Sequence, residues 1–150
     1  MELGCGRIVP VLAERTEKHL AQAAGKRVER WRRIALEAAK QSRRSDLPEI
    51  AAPAHLPEAF AGSEAPSLRI LLSETEEDQP LLRILEDENP TGSREILLAI
   101  GPEGGWSKGE ISLFMDAGWQ SASLGPRILR VETAAIAALA VVNAATALRG

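Results

Sequence analysis

Two segments carry residue types and spacings suited to gripping a small ligand: Gly101-Pro102-Glu103-Gly104-Gly105-Trp106-Ser107 and, about twenty residues on, Leu124-Gly125-Pro126-Arg127-Ile128-Leu129-Arg130-Val131-Glu132-Thr133-Ala134. Glycine adds no side-chain bulk and tolerates positive φ, so a glycine turn lets backbone amides and carbonyls approach a ligand closely. The first turn follows the apolar run Ile96-Leu97-Leu98-Ala99-Ile100, which reads as a fully buried strand. It precedes Ser107-Lys108-Gly109-Glu110, whose spacing is that of a capping box opening a helix. The second segment repeats the layout: Trp119 to Leu124 reads as a strand, Gly125-Pro126 as the turn, and Glu132 onward as an alanine-rich helix. Such turns at the carboxyl ends of neighbouring strands are where open α/β sheets bind ligands, and together they point to a nucleoside pocket. The patterns G-x-x-x-x-G-K-S/T and G-x-G-x-x-G are absent, so a triphosphate or dinucleotide has little support.

These turns need a scaffold, and the rest of the chain supplies its signals. Arg7 to Leu12 reads as a short strand. Gly25 to Ser42 reads as an amphipathic helix, with Val28, Trp31, Ala35, Ala38 and Ala39 on one side and Arg27, Arg30, Arg33 and Glu37 largely on the other. Trp31 on that face is either a core anchor or a base-stacking platform. Pro48, Pro53, Pro57 and Pro66 punctuate a loop over 45–66, with a short strand at 49–51 and a short helix near 56–61. Leu68 to Ser73 is a second buried strand. An acidic loop, Glu74-Thr75-Glu76-Glu77-Asp78, follows and would repel RNA, and a short helix runs from Pro80 to about Glu86. Strands alternating with helices imply one compact α/β domain, with a mostly parallel sheet of about five strands and helices on both faces.

Composition narrows the class further. A chain of 150 residues, 45% hydrophobic, can bury one real core but not two ordinary ones. The single cysteine, Cys5, excludes an intrachain disulfide, and His19 and His55 stand in unrelated contexts, so a metal site is not expected. No apolar stretch reaches the length of a membrane span, and the amino terminus lacks a signal-peptide pattern, so a soluble cytoplasmic protein without a membrane partner is expected. The net charge of -3 hides a gradient: residues 1–50 hold 11 Lys/Arg against 7 Asp/Glu, and residues 51–100 hold 3 against 10. A basic amino-terminal third suits either an RNA contact surface or a solvated helix face.

The two glycine segments are similar to those of the 16S ribosomal RNA uridine N3-methyltransferases, the RsmE family of the SPOUT class. Further matches run along the chain in order: Glu2-Leu3-Gly4, Ile8-Val9-Pro10, Glu14-Arg15, Glu37-Ala38-Ala39-Lys40-Gln41-Ser42-Arg43-Arg44, and Pro48-Glu49. The resemblance implies a carboxyl-terminal deep trefoil knot that forms a pocket for S-adenosylmethionine. The family normally carries an amino-terminal PUA-like barrel and a first strand and helix ahead of the Glu-Leu-Gly motif. On that resemblance, residues 1–150 are expected to be a SPOUT methyltransferase domain incomplete at its amino terminus, without the barrel.

On that resemblance, the cofactor is held by Leu72, Ile100, Gly101, Glu103, Gly104, Gly105, Leu124, Gly125, Ile128, Leu129 and Thr133. Methylating uridine N3 requires removing an imide proton or stabilising the anion it leaves, which calls for a base, a cation or both. Glu132 is the candidate base and Arg130 or Arg127 the candidate cation; Glu132 could equally be a carboxylate stabilised by the amino end of its helix. Arg15, Arg43 and Arg44 are the candidate RNA contacts, and arginines near a helix carboxyl end also complement its dipole. The implied partners are 16S ribosomal RNA, in the assembled small subunit, and a second copy of the chain. A ribose 2′-O-methyltransferase of the same class typically carries a serine-leucine-asparagine final motif where this chain has Arg130 to Ala134, which favours base methylation. A silent RNA-binding or dimerisation fragment is the reading from a different class.

Overall fold

The structure is a computed structural model and describes residues 3–41, 47–60, 67–90 and 95–147. The chain divides into two compact units, residues 1–61 and 62–150.

In the first unit, β1 (Arg7–Ile8) pairs in parallel with β2 (Glu49–Ile50), Arg7 opposite Glu49 and Ile8 opposite Ile50. Pairing resumes as a bridge between Val11 and Ala54, where Leu12 N–H donates to the Ala54 carbonyl at 2.9 Å. Pro10 and Pro53 lack the N–H that a longer continuous ladder needs, so the expected strand over 7–12 is broken. Helix α1 (Lys18–Gln41) begins seven residues before the expected Gly25, because Leu20-Ala21-Gln22-Ala23-Ala24 are strong helix formers and a single internal glycine is tolerated. It buries Ala24, Val28, Ala35 and Ala39 on one stripe. Val28 and Ala35 close on Ile50, with Ile8 and Trp31 packed against them, which settles Trp31 as a core anchor. Where a short helix near 56–61 was expected, a single 3₁₀ turn forms at Glu58–Phe60.

The second unit is a three-stranded parallel sheet in the order β4 (Glu95–Ala99), β3 (Ser67–Leu72), β5 (Gln120–Ala122). Register places Leu71 opposite Ala99 on one side and Leu72 opposite Ala122 on the other. One face of β3, through Leu68, Ile70 and Leu72, packs into the core with Leu81, Ile84 and Leu85 of α2 (Leu81–Glu88) and Ala138 and Ala145 of α4 (Val131–Ala147). The other face carries Arg69, whose Nη1 donates to the Ala117 carbonyl at 2.9 Å, at the end of α3 (Lys108–Asp116). Helices therefore cover both faces, and β3, central in its sheet, is apolar from Leu68 to Leu72 except at Arg69.

Two expectations change. The strands of the described residues form sheets of two and three rather than one sheet of about five. The run 96–100, expected to be fully buried, is half-buried throughout, because β4 is an edge strand of its sheet.

Candidate active site

The three carboxyl ends of the second unit's strands lie side by side, and each delivers a different piece. β3 ends at buried Leu72, and Ser73 N–H continues its ladder by donating to the Ala122 carbonyl at 3.0 Å. β4 runs through half-buried Ile100 into the first glycine turn. β5 runs through Ser123 and half-buried Leu124 into the second. The two glycine turns are thus not on neighbouring strands: β3 stands between β4 and β5, which are about 10 Å apart, two strand spacings.

The first turn is closed and braced. Gly105 N–H donates to the Pro102 carbonyl at 2.8 Å, and Gly105 has φ 69°, in the left-handed region that favours glycine. Glu103 and Gly104 project into solvent at its tip. The capping box forms as expected: Glu110 N–H donates to Ser107 Oγ at 3.2 Å and Ser107 N–H to Glu110 Oε2 at 2.8 Å, both residues buried. Behind the turn, Trp106 packs edge-on against Phe114, which packs in the same way against Trp119. A Cβ on Gly101 would stand 3.0 Å from the Trp106 indole nitrogen, so the indole occupies the space that Gly101 leaves.

The second turn is open. Gly125 has φ 109°, and a Cβ built there would meet nothing within 4 Å. Its N–H donates to Ser123 Oγ at 3.1 Å. Ser123 is itself pinned through its backbone, donating to the Gln79 carbonyl at 2.8 Å and accepting from Leu81 N–H at 2.9 Å. Beyond Gly125, Arg127 and Arg130 are exposed, Leu129 is half-buried and Ile128 is 81% exposed. Ala134 N–H donates to the Arg130 carbonyl at 2.8 Å, so Glu132 and Thr133 sit exposed in the first turn of α4. There the free amides of a helix amino end favour a carboxylate.

The second unit therefore holds all the expected cofactor residues and the three candidate catalytic ones. Leu72, Ile100 and Gly101 share one end of the sheet with Leu124 and Gly125. Arg15 lies in the first unit, exposed in a turn over 13–16 in which Thr16 N–H donates to the Ala13 carbonyl at 3.0 Å. Arg43 and Arg44 lie outside the described residues. Motif reading missed Ser123, which anchors the Gly125 backbone, and the seating of Trp106 on Gly101. A serine two residues before a glycine was the only local hint of the former, and no local signal marks the latter. Among the described residues, no group of three or more His, Cys, Asp or Glu could hold a metal ion, and no helix is long and apolar enough to cross a membrane.

Residues 1–143 match the family model described as an RNA methyltransferase domain. The chain belongs to this family. Among RNA methyltransferase relatives, the ribosomal RNA small subunit methyltransferase E of Synechocystis sp. is 43% identical over 144 residues, covering 95% of this chain and 46% of the relative. The protein of that name from Aquifex aeolicus is 33% identical, covering 93% of this chain and 57% of its own length. The crystal structure of a ribosomal RNA small subunit methyltransferase E from Neisseria gonorrhoeae bound to S-adenosyl methionine superposes with a TM-score of 0.82 at 34% identity, over 97% of this chain and 57% of that one. The chain spans about half the length of these relatives, and the likeness read from its motifs is borne out.

Proposed function

We propose that this chain is the methyl-transferring domain of an S-adenosylmethionine-dependent enzyme that methylates N3 of a uridine in 16S ribosomal RNA. One observation carries the reading: two glycine turns flank the end of β3, and the second runs directly into a segment bearing Arg127, Arg130 and Glu132. The names of the relatives, and the cofactor bound in the Neisseria gonorrhoeae structure, support it.

The residues present suit that cofactor. Ile100, Leu124, Leu129 and the largely exposed Ile128 offer apolar surface for an adenine ring, and Gly125 leaves open space beside its backbone. Gly101, Glu103, Gly104, Gly105, Leu72 and Thr133 complete the proposed cradle. When bound, S-adenosylmethionine supplies an electrophilic methyl carbon. The chain's own task is to make the uridine nucleophilic at N3, whose proton has a pKa of roughly 9. Glu132 would accept that proton, and Arg130 or Arg127 would stabilise the charge spread over O2, N3 and O4. Arg15, Arg43 and Arg44 would hold the RNA phosphates.

Around this core reading we place a knotted carboxyl-terminal segment within a SPOUT methyltransferase domain, a cytoplasmic location, and action on the assembled small subunit as a homodimer. The outward Ile136 of α4, 61% exposed among small residues, supports the dimer. The test is nucleoside mass spectrometry of 16S RNA treated with the enzyme, wild type and Glu132→Gln. The expected product is N3-methyluridine. The variant should lose on the order of a hundredfold in kcat at nearly unchanged cofactor affinity, and raising the pH toward the uridine pKa should recover part of the loss. A 2′-O-methyl product would overturn the base-methylation reading, and full activity in Glu132→Gln would return that residue to a helix-end role.

A further inference from the structure

Ser123 is a buried polar residue, 9% exposed, at the point where β5 passes into the second glycine turn. Its backbone belongs to a junction of three segments. Ala122, the residue before it, accepts from Ser73 N–H at the end of β3, at 3.0 Å. Ser123 N–H donates to the Gln79 carbonyl at 2.8 Å, and its own carbonyl accepts from Leu81 N–H at 2.9 Å. The segment that leaves β3 at Ser73 and enters α2 at Leu81 is therefore tied to residues 122–123 at both of its ends. Leu81 is 2% exposed in the core cluster, which roots the junction there. From this base the side chain reaches forward: Ser123 Oγ accepts from Gly125 N–H at 3.1 Å, a hydroxyl turn spanning two residues, and donates more loosely to the Gly125 carbonyl at 3.4 Å.

We propose that Ser123 is a positioning residue for the cofactor: its hydroxyl holds the Gly125 turn in the conformation that receives S-adenosylmethionine, and its backbone sets that turn beside the end of β3. The proposal rests on the cofactor reading above. Gly125 is exposed at φ 109°, and a Cβ built on it would meet nothing within 4 Å, so packing against its α-carbon does not choose its conformation. A glycine left to itself populates positive and negative φ about as readily, and the Ser123 hydroxyl selects between them. Without that oxygen the exposed Gly125 N–H turns to water, so the fold loses little. The turn, however, divides its population among several conformations, and apparent affinity falls with the fraction that is competent to bind. Ser123 thus acts through Gly125 and through the 73–81 segment, joining two of the three strand ends that form the proposed cradle.

Isothermal titration with S-adenosylhomocysteine, the demethylated cofactor, tests this on the full chain as wild type, Ser123→Ala and Ser123→Thr, beside urea unfolding and amide hydrogen exchange at Gly125. Ser123→Ala should bind about three- to tenfold more weakly, with an unfolding midpoint close to that of wild type. Its Gly125 amide should exchange about tenfold faster, the mark of a locally opened turn. Ser123→Thr keeps the oxygen and should restore both affinity and protection. Ser123→Asn, whose side-chain oxygen accepts the same N–H, takes its place if the added methyl group unfolds the threonine variant. Wild-type affinity in Ser123→Ala, a loss that a folded Thr or Asn variant does not reverse, or weaker binding with Gly125 exchange unchanged would overturn the positioning role while leaving the cofactor reading intact. A wild-type chain that binds no S-adenosylhomocysteine would overturn the cofactor reading itself, and the role of Ser123 with it.

Discussion

The two glycine turns sit at the same end of one sheet yet are built in opposite ways. The turn at 101–105 is backed by bulk: Trp106 fills the space over Gly101, Phe114 holds Trp106 at a centroid distance of 4.8 Å, and a complete capping box fixes the exit. The turn at 124–130 is tied back through Ser123, by its hydroxyl to Gly125 N–H and by its backbone to Gln79 and Leu81, and beyond half-buried Leu124 most of its side chains are exposed, Ile128 at 81%. A braced turn presents a fixed surface, whereas an open one leaves room for a ligand and for charged groups to reach it. The difference gives the first turn the more braced surroundings and the second, where the chemistry is proposed, the more open ones.

Five substitutions break or sharpen that contrast. Phe114→Ala removes a side chain that is 2% exposed and touches both tryptophans, and should cost about 3–5 kcal/mol of unfolding free energy in urea denaturation. The proposed cofactor pocket should loosen with it. Gly101→Val forces a branched side chain into the Trp106 indole, which Phe114 prevents from yielding, and should cost about 1–3 kcal/mol. Trp106→Leu in the same chain should recover much of that loss, and a double-mutant cycle showing strict additivity would break the link between these two residues.

Gly125→Ala meets no steric obstacle, but places an L residue at φ 109°, which should cost about 1–2 kcal/mol. Its effect should appear as weaker cofactor binding in isothermal titration at nearly constant m-value. Equal effects of the Gly101 and Gly125 substitutions on binding relative to stability would erase the distinction between the turns. Ser107→Ala deletes one half of the capping box and should cost about 1 kcal/mol. Because Glu110 N–H then loses the Ser107 Oγ acceptor while Ser107 N–H keeps Glu110 Oε2, thermal unfolding should register the change while cofactor affinity stays within a few-fold.

Both turns, the capping box and the helix beginning near Glu132 were legible in the chain because each is a local matter. Glycine φ, an S-x-x-E spacing and a proline's missing N–H act within a few residues. The family likeness was legible for the same reason, since its motifs are contiguous and ordered. The start of α1 at Lys18 was missed because alanine-rich sequence without strong periodicity is helical by propensity rather than by pattern.

What only the tertiary structure decided concerns neighbours distant in sequence. An apolar run shows that a strand has buried faces but not whether it is central or at an edge. Leu68–Leu72 and Ile96–Ile100 both looked like buried strands in sequence, yet the first is buried at every residue but Arg69 and the second is half-buried throughout. Strand order placed β3 between the two glycine turns, and long-range packing set the end of α3 against Arg69 and Arg32 on the Ile50 carbonyl. Backbone geometry and side-chain period act along the chain, so sequence fixes the turns; pairing and packing act across it, so only the folded molecule fixes what the turns enclose.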